Sequence, residues 1–109
     1  MSQLTEPEKS WMACAIDSEG SIVLEPKYNR GNITVANTDL NFIKYAHQLL
    51  KPKSKIRSRM RIGLKMIYIT TLADKQGLER ILPQIIPYLI IKKHKAQTLL
   101  NRVKNGWSL

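Results

Sequence analysis

One cysteine, two histidines and eight acidic residues are all that this 109-residue chain holds of the side chains that build disulfides, zinc sites and carboxylate clusters. The lone Cys14 excludes an intramolecular disulfide framework, and no Cys/His group has the spacing of a zinc site. Long apolar runs are also missing. The longest, around residues 85–91, is interrupted by Pro87 and is too short to cross a bilayer. No secretory signal pattern is visible. These absences predict an intracellular protein, cytoplasmic and nucleoid-associated or organellar, with no membrane partner. The length predicts a single domain over residues 1–109 with a core from about 5 to 105, small enough that an oligomeric interface would help to stabilise it.

What the chain has instead is positive charge. Eighteen Lys and Arg against eight acids give a net charge of +10 and an isoelectric point near 10.0. Contact with a polyanion is the default expectation, because neutralising phosphates releases counterions. The distribution strengthens it. No Asp or Glu occurs between residues 40 and 72, whereas Lys44, Lys51, Lys53, Lys55, Arg57, Arg59, Arg61 and Lys65 all fall there.

Thr5-Glu6-Pro7-Glu8 has the pattern of a capping box and predicts a helix to about Ser18 or Glu19, with Gly20 taking a left-handed turn to end it. Strands over 21–27 and 32–37 are expected to form a hairpin through Tyr28-Asn29-Arg30-Gly31. Asp39 can cap a helix over about 40–50, stopped by Pro52. A second hairpin pairs 55–62 with 64–71 around Gly63. In its first strand Lys55, Arg57, Arg59 and Arg61 alternate with Ile56, Ser58, Met60 and Ile62, which puts four cations on one face. Asp74 can cap a third helix to about Gln84. A last helix starts at Lys92 or Lys93 and reaches about Lys104, with Ala96, Leu99, Leu100 and Val103 as its apolar stripe. Helix, hairpin, helix, hairpin, helix, helix is an α+β order. It predicts an antiparallel, twisted sheet covered by helices on one face, with the other left as a saddle for a ligand.

The segment Trp11-Met12-Ala13-Cys14-Ala15-Ile16-Asp17-Ser18-Glu19-Gly20-Ser21 resembles the LAGLIDADG signature of homing endonucleases and related intron maturases. Asn37-Thr38-Asp39 and Pro87-Tyr88-Leu89-Ile90-Ile91-Lys92-Lys93 look like further stretches of that family. The resemblance implies a divalent-metal-dependent, site-specific double-strand DNA endonuclease of the homing type, using Mg²⁺, with Mn²⁺ able to substitute. It implies Glu19 and the Ser18 backbone carbonyl as metal ligands, and Glu19, Lys92 and Asn37 as the catalytic group. With one motif per chain, two active-site halves require a homodimer. The seam is expected along the motif helix at Met12, Ala13, Cys14 and Ile16, where small side chains let a second copy approach. Cys14 stands where the family commonly has Gly. Asp17, the first acid of the motif, is expected to support the helix end structurally.

Strand parity predicts the residues that face double-stranded DNA: Ser21, Val23, Glu25 and Lys27, extended by Asn29 and Arg30; Asn32 and Thr34; Lys55, Arg57, Arg59 and Arg61; and Lys65. Orientation of the fourth strand is open, since Met66 and Tyr68 or Ile67 and Ile69 fit the core equally well. Strands of roughly nine residues would cover about nine base pairs per copy, and a dimer about eighteen of a palindromic or near-palindromic site. The alternative reading is a non-cleaving relative, such as a maturase that binds intron RNA.

Overall fold

The computed structural model describes residues 3–27, 30–60, 63 and 65–105. In chain order they form α1 (Glu6–Glu19), β1 (Gly20–Leu24), β2 (Gly31–Asn37), α2 (Leu40–Leu50), β3 (Arg57–Met60), β4 (Met66–Leu72), α3 (Lys75–Ile85), a 3-10 turn (Ile86–Tyr88) and α4 (Lys93–Asn105). The expected α+β order is the one observed.

The local signals act as their chemistry dictates. Thr5 Oγ1 accepts from Glu8 N at 3.3 Å and Glu8 Oε1 accepts from Thr5 N at 2.8 Å, the reciprocal capping box that starts α1. Asp39 and Asp74 cap α2 and α3 through the N–H groups of Phe42 and Gly77. Gly20 departs from expectation. It is extended (φ −112°, ψ −177°) and opens β1 rather than ending the helix in a left-handed turn. A Cβ there would lie 3.0 Å from Ile16 Cα and from Thr34 O, so close packing at the helix-to-strand junction is what requires glycine.

All four strands are antiparallel, in the order β1-β2-β4-β3. β1 ends, and β3 begins, inside the expected bounds. β1 stops at Leu24, before Pro26, which has no N–H for the ladder. β3 begins only at Arg57, because Lys51 turns left-handed (φ 51°) and Ser54 Oγ bonds to Thr71 O in place of a backbone rung. The longest strands have seven residues, so one copy spans about 23 Å, or about seven base pairs rather than nine.

One face of the sheet carries the core. Ile22, Ile33, Val35 and Leu72 meet Met12 and Ile16 of α1, Ile43, Ala46 and Leu50 of α2, Leu78, Ile81 and Ile85 of α3, and Ala96 and Leu99 of α4. Each fully buried aliphatic side chain contributes about 2 kcal/mol. Trp11 joins α1 to α2 through Phe42 (ring centroids 5.0 Å apart) and Tyr45 (4.6 Å, edge-on). Thr70, fully buried, bonds to His47 Nδ1 at 2.9 Å. Arg80 and Arg102 serve the scaffold. Arg80 donates to the Leu49 and Leu50 carbonyls at the end of α2, and Arg102 to the Glu25 and Arg30 carbonyls of the first hairpin.

Gly31 opens β2 with no room for a side chain, since a Cβ would stand 2.2 Å from Val23 O and 2.7 Å from Leu99 Cδ1. Gly31→Ala is expected to destabilise the fold by about 1–3 kcal/mol, read as a lower midpoint in urea denaturation.

Candidate nucleic-acid interface and acidic site

The register settles the orientation of the fourth strand. Arg57 pairs with Ile69 and Arg59 with Ile67, so the two arginines share the sheet's uncovered face with Ile67, Ile69 and Thr71, while Tyr68, Thr70 and Leu72 turn to the helices. Ser21 and Val23 of β1 lie opposite Thr34 and Asn32 of β2 on that same face. Thr34 Oγ1 bonds to Asn32 Oδ1 at 2.8 Å and lies 3.3 Å from Thr71 Oγ1, towards which Arg57 also points at 3.5 Å. A polar, hydrogen-bonding centre therefore sits between flanking cations. Lys65 is exposed just before β4, with the parity of Ile67. Glu25, Lys27 and Arg30 belong to the first hairpin's turn, and Lys55 precedes β3, so these four lie off the strands, where parity no longer assigns a face. Asn29 and Arg61 lie outside the described residues.

At one end of this face the last turn of α1 brings Glu19 to an open cavity of about 420 Å³, lined also by Ala36, Asn37, Thr38, Arg59 and Ile67. Glu19 is exposed and sits at the helix C-terminus, where backbone carbonyls carry partial negative charge. Arg59 is the cation of the cavity. Asn37 Oδ1 accepts from Asp39 N at 2.8 Å, so this side chain both lines the cavity and supports the start of α2.

Behind Glu19, Asp17 turns the other way. Its carboxylate accepts from Ile90 N at 2.7 Å and from Lys92 N at 2.9 Å, and Lys92 Nζ returns a bond to the Asp17 carbonyl at 2.7 Å. Partial burial works to raise the Asp17 carboxyl. The N–H groups of Ile90, Lys92 and Ile91 and the Lys92 charge outweigh it and hold the group below its ordinary value. A second tie joins Tyr88, whose hydroxyl donates to the Glu6 carboxylate near the start of α1; the bond holds Glu6 down and Tyr88 up from their ordinary values.

Solved structures share this architecture. I-CvuI, a homing endonuclease solved on the I-CreI target with Mg and on its own target with Ca, superposes with TM-scores of 0.62 and 0.61 at 20% and 23% identity. The group I intron-encoded homing endonuclease I-CeuI on DNA gives 0.59 at 18% identity, and the archaeal intron-encoded I-Vdi141I on DNA gives 0.64 at 13%. The matches cover 91%, 90%, 94% and 93% of this chain and 67%, 66%, 55% and 71% of those chains. The fold is that of the LAGLIDADG homing endonucleases. No protein-family model and no curated protein sequence matches the chain.

Measured against the LAGLIDADG expectation, Glu19 and Asn37 line one cavity, while Lys92 is not among its lining residues and its Nζ is held on the Asp17 carbonyl. Ser18 is exposed, with Oγ donating to Cys14 O at 2.7 Å. The expected seam needs correction. Met12, Ala13 and Ile16 are 0–1% exposed in the chain's own core, because helical periodicity turns them to the sheet. Of the four seam residues only Cys14 faces outward. It lies with Pro7, Ser10 and Ser18 on the bare stripe of α1. Sequence reasoning assigned Arg59 to the strand face but not to the cavity of Glu19, and it passed over the outward-facing Ile90 and Ile91. A parity pattern carries no information about which strand end abuts a helix terminus 40 residues earlier.

Asp17→Ala is expected to cost about 2 kcal/mol of stability near neutral pH, as charge-assisted hydrogen bonds to a carboxylate typically contribute. Since the folded carboxyl is depressed, its contribution is complete above the ordinary value and fades as pH falls through the folded one. The gap between parent and variant, measured by urea denaturation at each pH, should shrink below about pH 4.

Proposed function

We propose that this chain is one half of a homodimeric, divalent-metal-dependent endonuclease of the homing type that cuts both strands of a two-fold DNA site. The carrying observation is the convergence of Glu19, Asn37 and Arg59 on one cavity that opens onto the polar and cationic face of the sheet. DNA lies along that face. Arg57 and Arg59 neutralise phosphates or bond to base edges, and Ser21, Asn32, Thr34 and Thr71 supply neutral donors and acceptors to the groove. With about seven base pairs under each sheet, the site is a palindrome or near-palindrome of at least about fourteen.

The donors at the cavity suit a hard divalent cation. Glu19 would contribute a carboxylate from the cavity wall, the backbone carbonyl of Ser18 at the adjoining end of α1 would follow from the family resemblance, and phosphate oxygens would complete a set of the kind Mg²⁺ takes with one or two carboxylates. When bound, such a cation lowers the pKa of attacking water and stabilises the leaving oxygen. The chain's own residues do the rest. Arg59 offsets charge on the phosphate, Asn37 orients water through its amide, and Lys92 holds the end of α1 so that Glu19 keeps its position. Two copies meet along the stripe of Pro7, Ser10, Cys14 and Ser18, which brings a second Glu19 to the same stretch of DNA.

Three measurements test this reading. Selection from a randomised duplex library, with and without Mg²⁺, should yield a two-fold site that is cleaved only with the metal; Glu19→Gln should bind that site and cut it about 100-fold more slowly or less. Equal cleavage by the variant would remove Glu19 from the chemistry, and binding without cleavage by the parent would turn the reading towards a maturase-type binding protein. Arg57→Ala with Arg59→Ala, which removes two cations from each copy, should flatten the log–log salt dependence of DNA binding by up to about 4 per dimer. Mild oxidation should link two chains through Cys14, the sole cysteine, as a covalent dimer on a non-reducing gel; no linked species at any protein concentration would count against the stripe as the seam.

A further inference from the structure

We infer that Asn32 is a specificity-determining residue that selects guanine in the bound duplex, because a one-way chain of hydrogen bonds from Arg57 through Thr71 and Thr34 fixes its amide with the NH₂ group outward. The inference rests on the DNA-binding part of the reading above and adds which base one position of the site carries.

The chain lies on the uncovered face, across three strands. Thr34 of β2 stands opposite Thr71 of β4 in the ladder, and Asn32 shares the face of Thr34 two residues earlier. A threonine hydroxyl has one proton to give. That of Thr34 goes to Asn32 Oδ1 at 2.8 Å, so across the 3.3 Å contact between the two hydroxyls Thr71 is the donor and Thr34 the acceptor. At the other end Arg57 Nη2 stands 3.5 Å from Thr71 Oγ1, and a guanidinium only donates. The direction is therefore the same at every link. Run backwards, the chain would leave Thr71 accepting from both neighbours, with its own proton unused in a half-buried cluster.

Asn32 ends the chain as an acceptor at Oδ1, and its Nδ2 has no partner among the described residues. An unconstrained asparagine reads adenine by two bonds, accepting from N6 at Oδ1 and donating to N7 from Nδ2. Here Thr34 already occupies Oδ1, which removes the accepting half. What remains is a pair of N–H donors. Guanine presents two acceptors side by side in the major groove, N7 and O6, whereas adenine sets its acceptor beside a donor, thymine has a single acceptor and cytosine only a donor. Guanine is the base that answers donors alone. Its place follows from the strand. Asn32 lies five residues before Asn37 of the Glu19 cavity, about 17 Å along β2, so the guanine stands about five base pairs outward from the bond that is cut.

The experiment is selection from a randomised duplex library by binding alone, without Mg²⁺, for the parent, Asn32→Ala, Thr34→Val, Thr34→Ser and Ser21→Ala, with circular dichroism and urea unfolding as the check on folding. Asn32→Ala locates the position, as the base pair at which preference is lost. There the parent should favour guanine over adenine by about 10-fold, the discrimination of a good two-bond contact. Thr34→Val keeps the shape of the side chain but removes its proton, which frees Oδ1 and should turn the preference to adenine. Thr34→Ser keeps the hydroxyl and should keep guanine. Ser21→Ala, opposite Thr34 but outside the chain of bonds, should keep guanine as well. Should Thr34→Val fail to fold, Thr34→Ala removes the same proton and decides. No position altered by Asn32→Ala, adenine or no preference in the parent, guanine retained in the folded Thr34→Val or Thr34→Ala variant, or the same switch in Ser21→Ala overturns the inference. A parent that selects no duplex removes the DNA reading and the inference together. A parent that selects guanine there but cuts nothing when Mg²⁺ is added leaves the inference standing and removes only the nuclease reading.

Discussion

The Asp17 carboxylate is the constraint on which the functional end of this molecule depends. It sits one helical turn after Ala13 in the core and accepts hydrogen bonds from backbone 73 and 75 residues further along the chain. Tyr88 bonds to Glu6 near the opposite end of α1, so the segment 88–92 is tied to that helix close to both termini. Three things inherit their position from this arrangement. Glu19 follows two residues later on the same helix end, Lys92 is drawn onto the Asp17 carbonyl, and Ile90 and Ile91 are displayed outward. The first acid of the motif is thus structural, as the sequence leads one to expect, and it acts by placing the second.

The positive charge divides into two populations that composition cannot separate. Arg80, Arg102 and Lys92 donate to backbone carbonyls at helix ends and in the first hairpin. There a guanidinium or ammonium satisfies acceptors that the ladder and helices leave over. Arg57 and Arg59 lie exposed on the uncovered side of the sheet. Of these five cations only this second group faces solvent from the sheet. Within it Arg59 has two environments, with the strand face on one side and the Glu19 cavity on the other.

Helix α1 makes a parallel division with its small residues. Ala13 and Ala15 are buried under the chain's own core, whereas Cys14 between them is exposed. Successive residues of a helix lie about 100° apart, so neighbours in a motif of small side chains serve opposite surfaces. Of the residues expected at the seam, Met12, Ala13 and Ile16 therefore face the chain's own core and Cys14 alone faces outward.

Element order, the caps at Thr5, Asp39 and Asp74, the pairing of neighbouring strands into hairpins, the apolar stripe of α4 and the candidacy of Glu19 were all legible in the sequence, because each depends on residues within a few positions of one another. The backbone of Gly20, the late start of β3 and the orientation of β4 were not, because ladder register and packing at the α1–β1 junction involve strands brought together from elsewhere. The same reason governs the site. Local chemistry marked Glu19, Asn37 and Arg59 one by one, and only the sheet order β1-β2-β4-β3, with α1 running directly into β1, set them around one cavity. Only the tertiary structure, by burying one side of α1 and holding the backbone of Ile90 on Asp17, decided which surface of that helix stays exposed.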